Sequence, residues 1–179
     1  MIAGRLERVL VRRPLREDVG SWERLRWLAA PDPTRMDVEH GRLRALLADA
    51  GAEVVEAEGE PGNLDAIYVF DPVLVTPAGV ILLRPGKAER RGEPDALARD
   101  LDRLGVPVIG RLEEPALAEG GDTLWLDERT LAVGRSYRTN DAGVDVVVYE
   151  GAEISHKGHG GPTCLTLPLP VDFARSRSS

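Results

Sequence analysis

The fold of this chain is decided by a segment that occurs twice. Residues 71–84 read DPVLVTPAGVILLR, and residues 122–135 read DTLWLDERTLAVGR. Each copy begins with an aspartate and continues as an apolar strand, a turn and a second apolar strand, which predicts two β-hairpins. Repetition of a supersecondary unit within one chain indicates modules that share a core.

The residues after the first copy complete a module. A helix is predicted over residues 94–104, because Leu97, Leu101 and Leu104 fall on one face and Gly105 follows as a stop. A strand is predicted over residues 106–109. The predicted building block is therefore strand, strand, helix, strand.

The second copy lacks its helix. Only residues 141–143 separate the polar segment at 134–140 from a strand predicted over residues 144–149. Three residues are too few for a helix that covers a strand. We therefore predict that the third module is abbreviated, or that a longer ancestral chain has lost a segment near Gly143.

The sequence before the repeat predicts a strand at residues 9–11, a helix at 34–50 and a strand at 53–57. The helix carries one apolar face, formed by Leu43, Leu46, Leu47 and Ala50. At 179 residues the chain has the length of one ordinary domain. We assign residues 1–173 to it and expect a disordered tail at 174–179.

Composition excludes several classes of partner. The net charge of −7 argues against nucleic acid and against anionic membrane surfaces. No apolar run approaches the roughly 20 residues of a membrane span, and the first residues mix charges where a secretory signal is apolar, so a cytoplasmic protein is expected. The single cysteine and three histidines lack the spacing of a zinc site, which predicts no structural metal.

Two segments carry candidate chemistry. Cys164 directly follows a Gly-Gly-Pro turn, which makes it a candidate nucleophile. Glu119 and Asp122 flank a Gly-Gly step upstream. A thiol combined with paired carboxylates suits chemistry on a cation such as guanidinium.

Five segments, in this order, carry a resemblance to a known family: LVRRP at 10–14, NLDAIYVFD at 63–71, RPG at 84–86, EGGD at 119–122 with GRSYRTN at 134–140, and GGPTC at 160–164. The chain resembles the guanidino-group-modifying (pentein) superfamily of dimethylarginine dimethylaminohydrolases, arginine deiminases and amidinotransferases. The resemblance implies an α/β propeller of five strand-strand-helix-strand modules, of which about three would be present here.

The resemblance also implies which residue attacks the substrate and which residues bind its guanidinium group. Cys164 would attack the guanidinium carbon and form a covalent thiouronium intermediate. Glu119 and Asp122 would accept hydrogen bonds from the guanidinium N–H groups. A buried structural cysteine and carboxylates that serve a turn are the structural alternatives.

Four further positions match substrate-contacting residues of the family. Asp65 and Asp71 would contact the cationic end or the amino group of the substrate, and Arg84 and Arg138 would hold its carboxylate. As structural alternatives, the aspartates are strand-end caps and the arginines are surface residues. The remaining basic residues of this region are predicted to form a solvated loop: Lys87, Arg90 and Arg91.

The histidine that the family uses as acid and base has no counterpart in this sequence, and His156 and His159 are candidate substitutes. The predicted activity is Cys-dependent hydrolysis of arginine or a methylated arginine, with a small guanidino compound as substrate and no cofactor. The alternatives are an amidinotransferase and a non-catalytic remnant that binds a guanidino ligand. A homo-oligomer would cover the strand edge left by missing modules.

Overall fold

The computed structural model describes residues 6–127 and 130–143. In this part of the chain the strands are β1 (Arg8–Val11), β2 (Glu53–Glu56), β3 (Val73–Thr76), β4 (Gly79–Leu82), β5 (Val108–Arg111), β6 (Thr123–Trp125) and β7 (Leu131–Val133). The α-helices are α1 (Pro33–Asp49) and α2 (Glu93–Arg103). Among these residues no helix is long and apolar enough to cross a membrane.

The predicted strand-strand-helix-strand module is confirmed. Strands β3 and β4 form an antiparallel hairpin, and β5 returns after α2 to lie parallel to β4, with Val80 opposite Val108. Helix α2 buries Leu97 and Leu101 in the main apolar core. The other fully buried members of that core are Ala57, Val73, Val80 and Leu82. The four-residue spacing of Leu97 and Leu101 therefore places both side chains on the face of α2 that packs against the hairpin.

The second copy forms its hairpin as predicted. Strands β6 and β7 pair antiparallel, with Thr123 opposite Val133. A short 3₁₀ turn at Asp141–Gly143 follows. The strand predicted at 144–149 and the tail at 174–179 lie outside the described residues.

Helix α1 connects the parallel pair β1 and β2, whose register places Arg8 opposite Glu53. The Asp32 carboxylate caps the helix by accepting hydrogen bonds from the backbone N–H groups of Thr34 and Arg35. The predicted apolar face exists, but no residue of α1 is buried, and Leu43 and Leu46 are 49% and 67% exposed. An amphipathic helix is buried only as far as its neighbouring layer extends, and within residues 6–127 and 130–143 the sheet beside α1 consists of β1 and β2.

A buried ion pair ties the start of the chain to the segment that leads into Asp65. Arg12 donates to both carboxylate oxygens of Asp18, at 2.7 and 3.3 Å, and to the backbone carbonyls of Glu58 and Glu60 at 3.0 Å. Asp18 also accepts a hydrogen bond from the N–H of Gly62. Arg12 and Asp18 are 1% and 0% exposed. The pair therefore fixes the loop at residues 58–62.

Replacing Arg12 with methionine is expected to destabilise the protein by about 3–5 kcal/mol, because the buried Asp18 carboxylate would lose its counterion. Urea unfolding measures the change. Arg13→Met is the matched control, since Arg13 pairs with Asp37 at an exposed position, and we expect it to have little effect. Equal loss in the two variants would contradict the role given to the Arg12–Asp18 pair.

Candidate functional site

Five carboxylates from separate parts of the sequence meet beside the core: Asp65, Asp71, Glu93, Glu119 and Asp122. Asp65 lies in the 3₁₀ turn at Leu64–Ile67, Asp71 precedes β3, and Glu93 begins α2. Glu119 and Asp122 lie at either end of the Gly-Gly step before β6. We call this group, with the cations bound to it, the acidic cluster.

Arg90 lies at the centre of the acidic cluster. Its guanidinium donates two hydrogen bonds to Glu93, at 2.8 and 2.7 Å, and one to Asp71 at 2.9 Å. Its Nη1 also lies 3.5 Å from Glu119 Oε2, and Arg90 is 3% exposed. Burial acts to lower the pKa of Arg90, but the hydrogen bonds and charges of Glu93 and Asp71 raise it overall. Arg90 is therefore a permanent internal cation.

Glu119 is fully buried. Its Oε1 accepts a hydrogen bond from the backbone N–H of Gly86 at 3.1 Å, and its Oε2 accepts one from Arg138 Nη1 at 3.1 Å. Burial raises the pKa of Glu119 above its ordinary value of 4.5, while the charges of Arg138 and Arg90 act in the opposite direction. The ionised form of Glu119 therefore depends on cations beside it.

Asp122 and Arg138 form the second half of the acidic cluster. Arg138 Nη2 donates to Asp122 Oδ1 at 2.8 Å. The other carboxylate oxygen of Asp122 accepts hydrogen bonds from the hydroxyl groups of Ser136 and Thr139, both at 2.8 Å. Because these hydroxyls lie in the loop after β7, Asp122 fixes the position of Arg138.

The carboxylate of Asp65 accepts hydrogen bonds from two side chains. Trp27 Nε1 donates to Asp65 Oδ1 at 2.7 Å, and Lys87 Nζ donates to Asp65 Oδ2 at 2.8 Å. The backbone N–H of Asp65 donates to the Asn63 side chain, which caps this turn. Lys87 thus brings a third internal cation to the cluster, after Arg90 and Arg138.

Glycines allow these loops to approach one another. A Cβ atom on Gly86 would lie 2.6 Å from Arg138 Cα, and one on Gly121 would lie 2.7 Å from Asp71 Oδ1. A Cβ atom on Gly120 would collide with the carbonyl of Phe70. The Gly-Gly step between Glu119 and Asp122 is therefore needed for packing as well as for the turn.

The repeat does not determine which arginines turn inward, because the arginines that end the two copies, Arg84 and Arg135, both pair with exposed carboxylates. Asp71 and Asp122 open the two copies, and each binds an arginine that follows its hairpin, Arg90 and Arg138 respectively. The arginine that ends the first copy, Arg84, pairs instead with the exposed Glu114. Arg84 lines a separate cleft together with Leu83, Arg91, Pro94, Arg111, Leu112 and Glu113.

The structure thus brings together five of the residues predicted from the sequence: Asp65, Asp71, Glu119, Asp122 and Arg138. The predicted Cys164, His156 and His159 lie outside the described residues. The interpretation of Lys87, Arg90 and Arg91 as a solvated loop is wrong for Arg90, which is buried, and for Lys87, whose ammonium binds Asp65. The three-residue spacing from Arg90 to Glu93 at a helix start was the available signal.

The cations in this cluster are supplied by the protein itself. Among the residues that the structure describes, no group of three or more His, Cys, Asp or Glu is arranged to hold a metal ion. Five carboxylates face Arg90, Arg138 and Lys87, so negative charge is in excess. This excess holds where all five are ionised, and burial, which raises the pKa of Glu93 and of Glu119, reduces it.

Comparison with known proteins finds dimethylarginine dimethylaminohydrolases among the relatives. No protein-family model matches the chain. The N(G),N(G)-dimethylarginine dimethylaminohydrolase of Pseudomonas aeruginosa is 28% identical over 116 residues, which cover 65% of this chain and 45% of that protein. The Streptomyces coelicolor protein of the same name is 36% identical over 94 residues, covering 52% and 36%.

Solved structures agree with the sequence matches. The Pseudomonas aeruginosa enzyme, as a cysteine-to-serine mutant complexed with citrulline, superposes with a TM-score of 0.66 at 25% identity, over 83% of this chain and 63% of that one. The resemblance to the guanidino-group-modifying superfamily is confirmed. The chain spans less than half the length of these two curated dimethylarginine dimethylaminohydrolases, which is consistent with the predicted shortening.

Arg90→Met is expected to destabilise the protein by about 3–5 kcal/mol, because it leaves buried Glu93 without its bidentate partner. Urea unfolding, followed by circular dichroism, measures the change. Arg99→Met serves as control, since Arg99 is an exposed arginine on α2, and we expect it to unfold like the parent chain. An Arg90→Met protein as stable as the control would show that Arg90 is not the counterion of the cluster.

Proposed function

We propose that this chain acts on the guanidinium group of arginine or a methylated arginine as a Cys-dependent hydrolase. One observation carries the proposal. Glu119 and Asp122 were predicted to bind a guanidinium group, and Asp71 was predicted to contact the cationic end or the amino group of the substrate. These three carboxylates bind the protein's own guanidinium groups, those of Arg90 and Arg138. Carboxylates that already bind guanidinium groups through charge-assisted hydrogen bonds have the chemistry that a substrate guanidinium needs, and a substrate would share or displace these internal partners.

The reaction would proceed in two displacements. The Cys164 thiolate adds to the guanidinium carbon, and the carbon–nitrogen bond to the leaving amine breaks as that amine takes up a proton. The product is an S-alkylthiouronium. Water then adds to the same carbon, the carbon–sulfur bond breaks, and citrulline and the free thiol result. His156 or His159 would carry the proton in each step.

Arg138 would bind the carboxylate of the substrate. Its side chain is 29% exposed, whereas that of Arg90 is 3% exposed. Arg138 therefore keeps donors on the side that faces solvent, and its planar fork suits a carboxylate. Arg84 stays a weaker proposal for the same task, because its guanidinium is paired with Glu114.

A non-catalytic protein that binds a guanidino ligand is the second candidate. It is favoured by the sequence, which has histidine only at positions 40, 156 and 159 and none in an apolar strand. Loss of a positioned acid–base group costs about 10²–10⁴ in rate. An amidinotransferase, in which an amine replaces water in the second displacement, is the alternative within enzymes.

The proposal also covers the architecture and the location of the protein. We propose that residues 1–173 form one domain, an α/β propeller with about three of five modules, and that the protein is cytoplasmic. A homo-oligomer is the proposed cover for the exposed apolar side chains of β5, Val108 and Ile109. The open edge of a sheet is a ready site for such pairing.

Citrulline release from arginine and from methylarginines tests the activity. We expect slow turnover that Cys164→Ala abolishes and that Glu119→Gln lowers by about 10²-fold or more, since the guanidinium would lose a charged partner. The control is Arg99→Met, which should turn over at the parental rate. Transfer to glycine in place of citrulline release would assign the amidinotransferase. Ligand-induced thermal stabilisation without any product would assign the binding protein.

The affinity for guanidinium is expected to rise with pH across the titration of Glu119. Only the carboxylate form binds the cation, and burial raises the pKa of Glu119, so the affinity should reach its plateau at a higher pH than for an ordinary glutamate of pKa 4.5. Calorimetric titration with arginine in the Cys164→Ala protein measures this. Glu119→Gln should remove that step. A plateau at or below pH 4.5 would contradict the electrostatics described for Glu119.

A further inference from the structure

The side chain of Lys87 binds Asp65, the carboxylate to which the resemblance assigns the ammonium subsite of a substrate. Its Nζ donates to Asp65 Oδ2 and to the carbonyl of Leu25, both at 2.8 Å. The other oxygen of Asp65 accepts the hydrogen bond from Trp27. Both oxygens of this buried carboxylate are therefore already bound within the protein.

A second cation is close to the same carboxylate. Arg90 Nε lies 3.7 Å from Asp65 Oδ2, the oxygen that binds Lys87. An ammonium group of a ligand would have to enter beside two positive charges or displace Lys87. Displacement exchanges one ion pair for another and so contributes little net affinity.

The exposed rim of the cluster is basic. Lys87 and Arg138 are 23% and 29% exposed, while the carboxylates they bind, Asp65 and Asp122, are each 3% exposed. A ligand that approaches from solvent therefore meets cations first. That rim suits a carboxylate and disfavours an ammonium group.

We infer that Lys87 determines specificity by filling the ammonium subsite, so that this site takes guanidino carboxylates that lack an α-ammonium group. This inference rests on the proposed function, because it concerns the second end of the same ligand. A ligand of the expected class is 4-guanidinobutanoate. Arginine, which adds an α-ammonium group and one chain carbon, is the comparison, and 5-guanidinopentanoate, which has the chain length of arginine without the ammonium group, controls for that carbon.

Calorimetry on the full chain with Cys164→Ala, which prevents turnover, tests the inference. We expect 4-guanidinobutanoate to bind about tenfold or more tightly than arginine, a difference that corresponds to the loss of one ion pair. Lys87→Met should reduce this preference at least about tenfold, chiefly by tightening arginine. Lys87→Arg should retain the parental preference, because it keeps the cation, and Arg99→Met controls for loss of a remote positive charge.

The outcomes separate two failures. If both ligands bind and Lys87→Met leaves their ratio unchanged, Lys87 does not set specificity, and the inference is overturned while the guanidino site stands. If neither ligand binds to the parent chain or to any variant, the proposed function is wrong, and the inference that rests on it is wrong as well. If Lys87→Met fails to fold, Lys87→Gln replaces it, and an unchanged ratio in that variant overturns the inference equally.

Discussion

The site depends on one buried guanidinium. Arg90 makes two hydrogen bonds to Glu93 at the start of α2 and one to Asp71 before β3, and it lies 3.5 Å from Glu119. Carboxylates brought this close together in a buried place repel one another and favour protonation. A cation that cannot lose its proton resolves this conflict. The same group thus joins the helix of the first module to the hairpins of both copies.

Stability and ligand chemistry share the same residues in this arrangement. The carboxylates that hold Arg90 and Arg138 are those proposed to bind substrate, so the folded state fills its own acidic cluster with internal cations. A ligand must therefore use the charge that remains in excess, which makes the identity and position of each internal cation decisive. Lys87 is the internal cation with the longest flexible stem and a partly exposed side chain, which is why specificity is assigned to it.

The sequence repeat contributes one aspartate from each copy to the site. Each copy places an aspartate before a hairpin and an arginine after it, and the two aspartates, Asp71 and Asp122, converge because both hairpins begin at the same side of the core. Glycine is required where the copies touch, since Gly121 packs against Asp71 and Gly86 packs against Arg138. A duplicated module therefore yields a site with related but unequal halves.

The sequence by itself predicted the hairpins and helix α2, because periodicity and glycine stops are local properties of the chain. That Asp65, Asp71, Glu119, Asp122 and Arg138 belong to one site was implied by the family resemblance, and the tertiary structure brings them together. The sequence could not decide which arginine turned inward. Arg84 and Arg90 are six residues apart on either side of a turn, and only the packing of that turn against Glu119 buries Arg90 and leaves Arg84 with Glu114. Ion pairing across the fold is set by tertiary contacts, since a charged side chain takes its partner from whichever segment lies beside it.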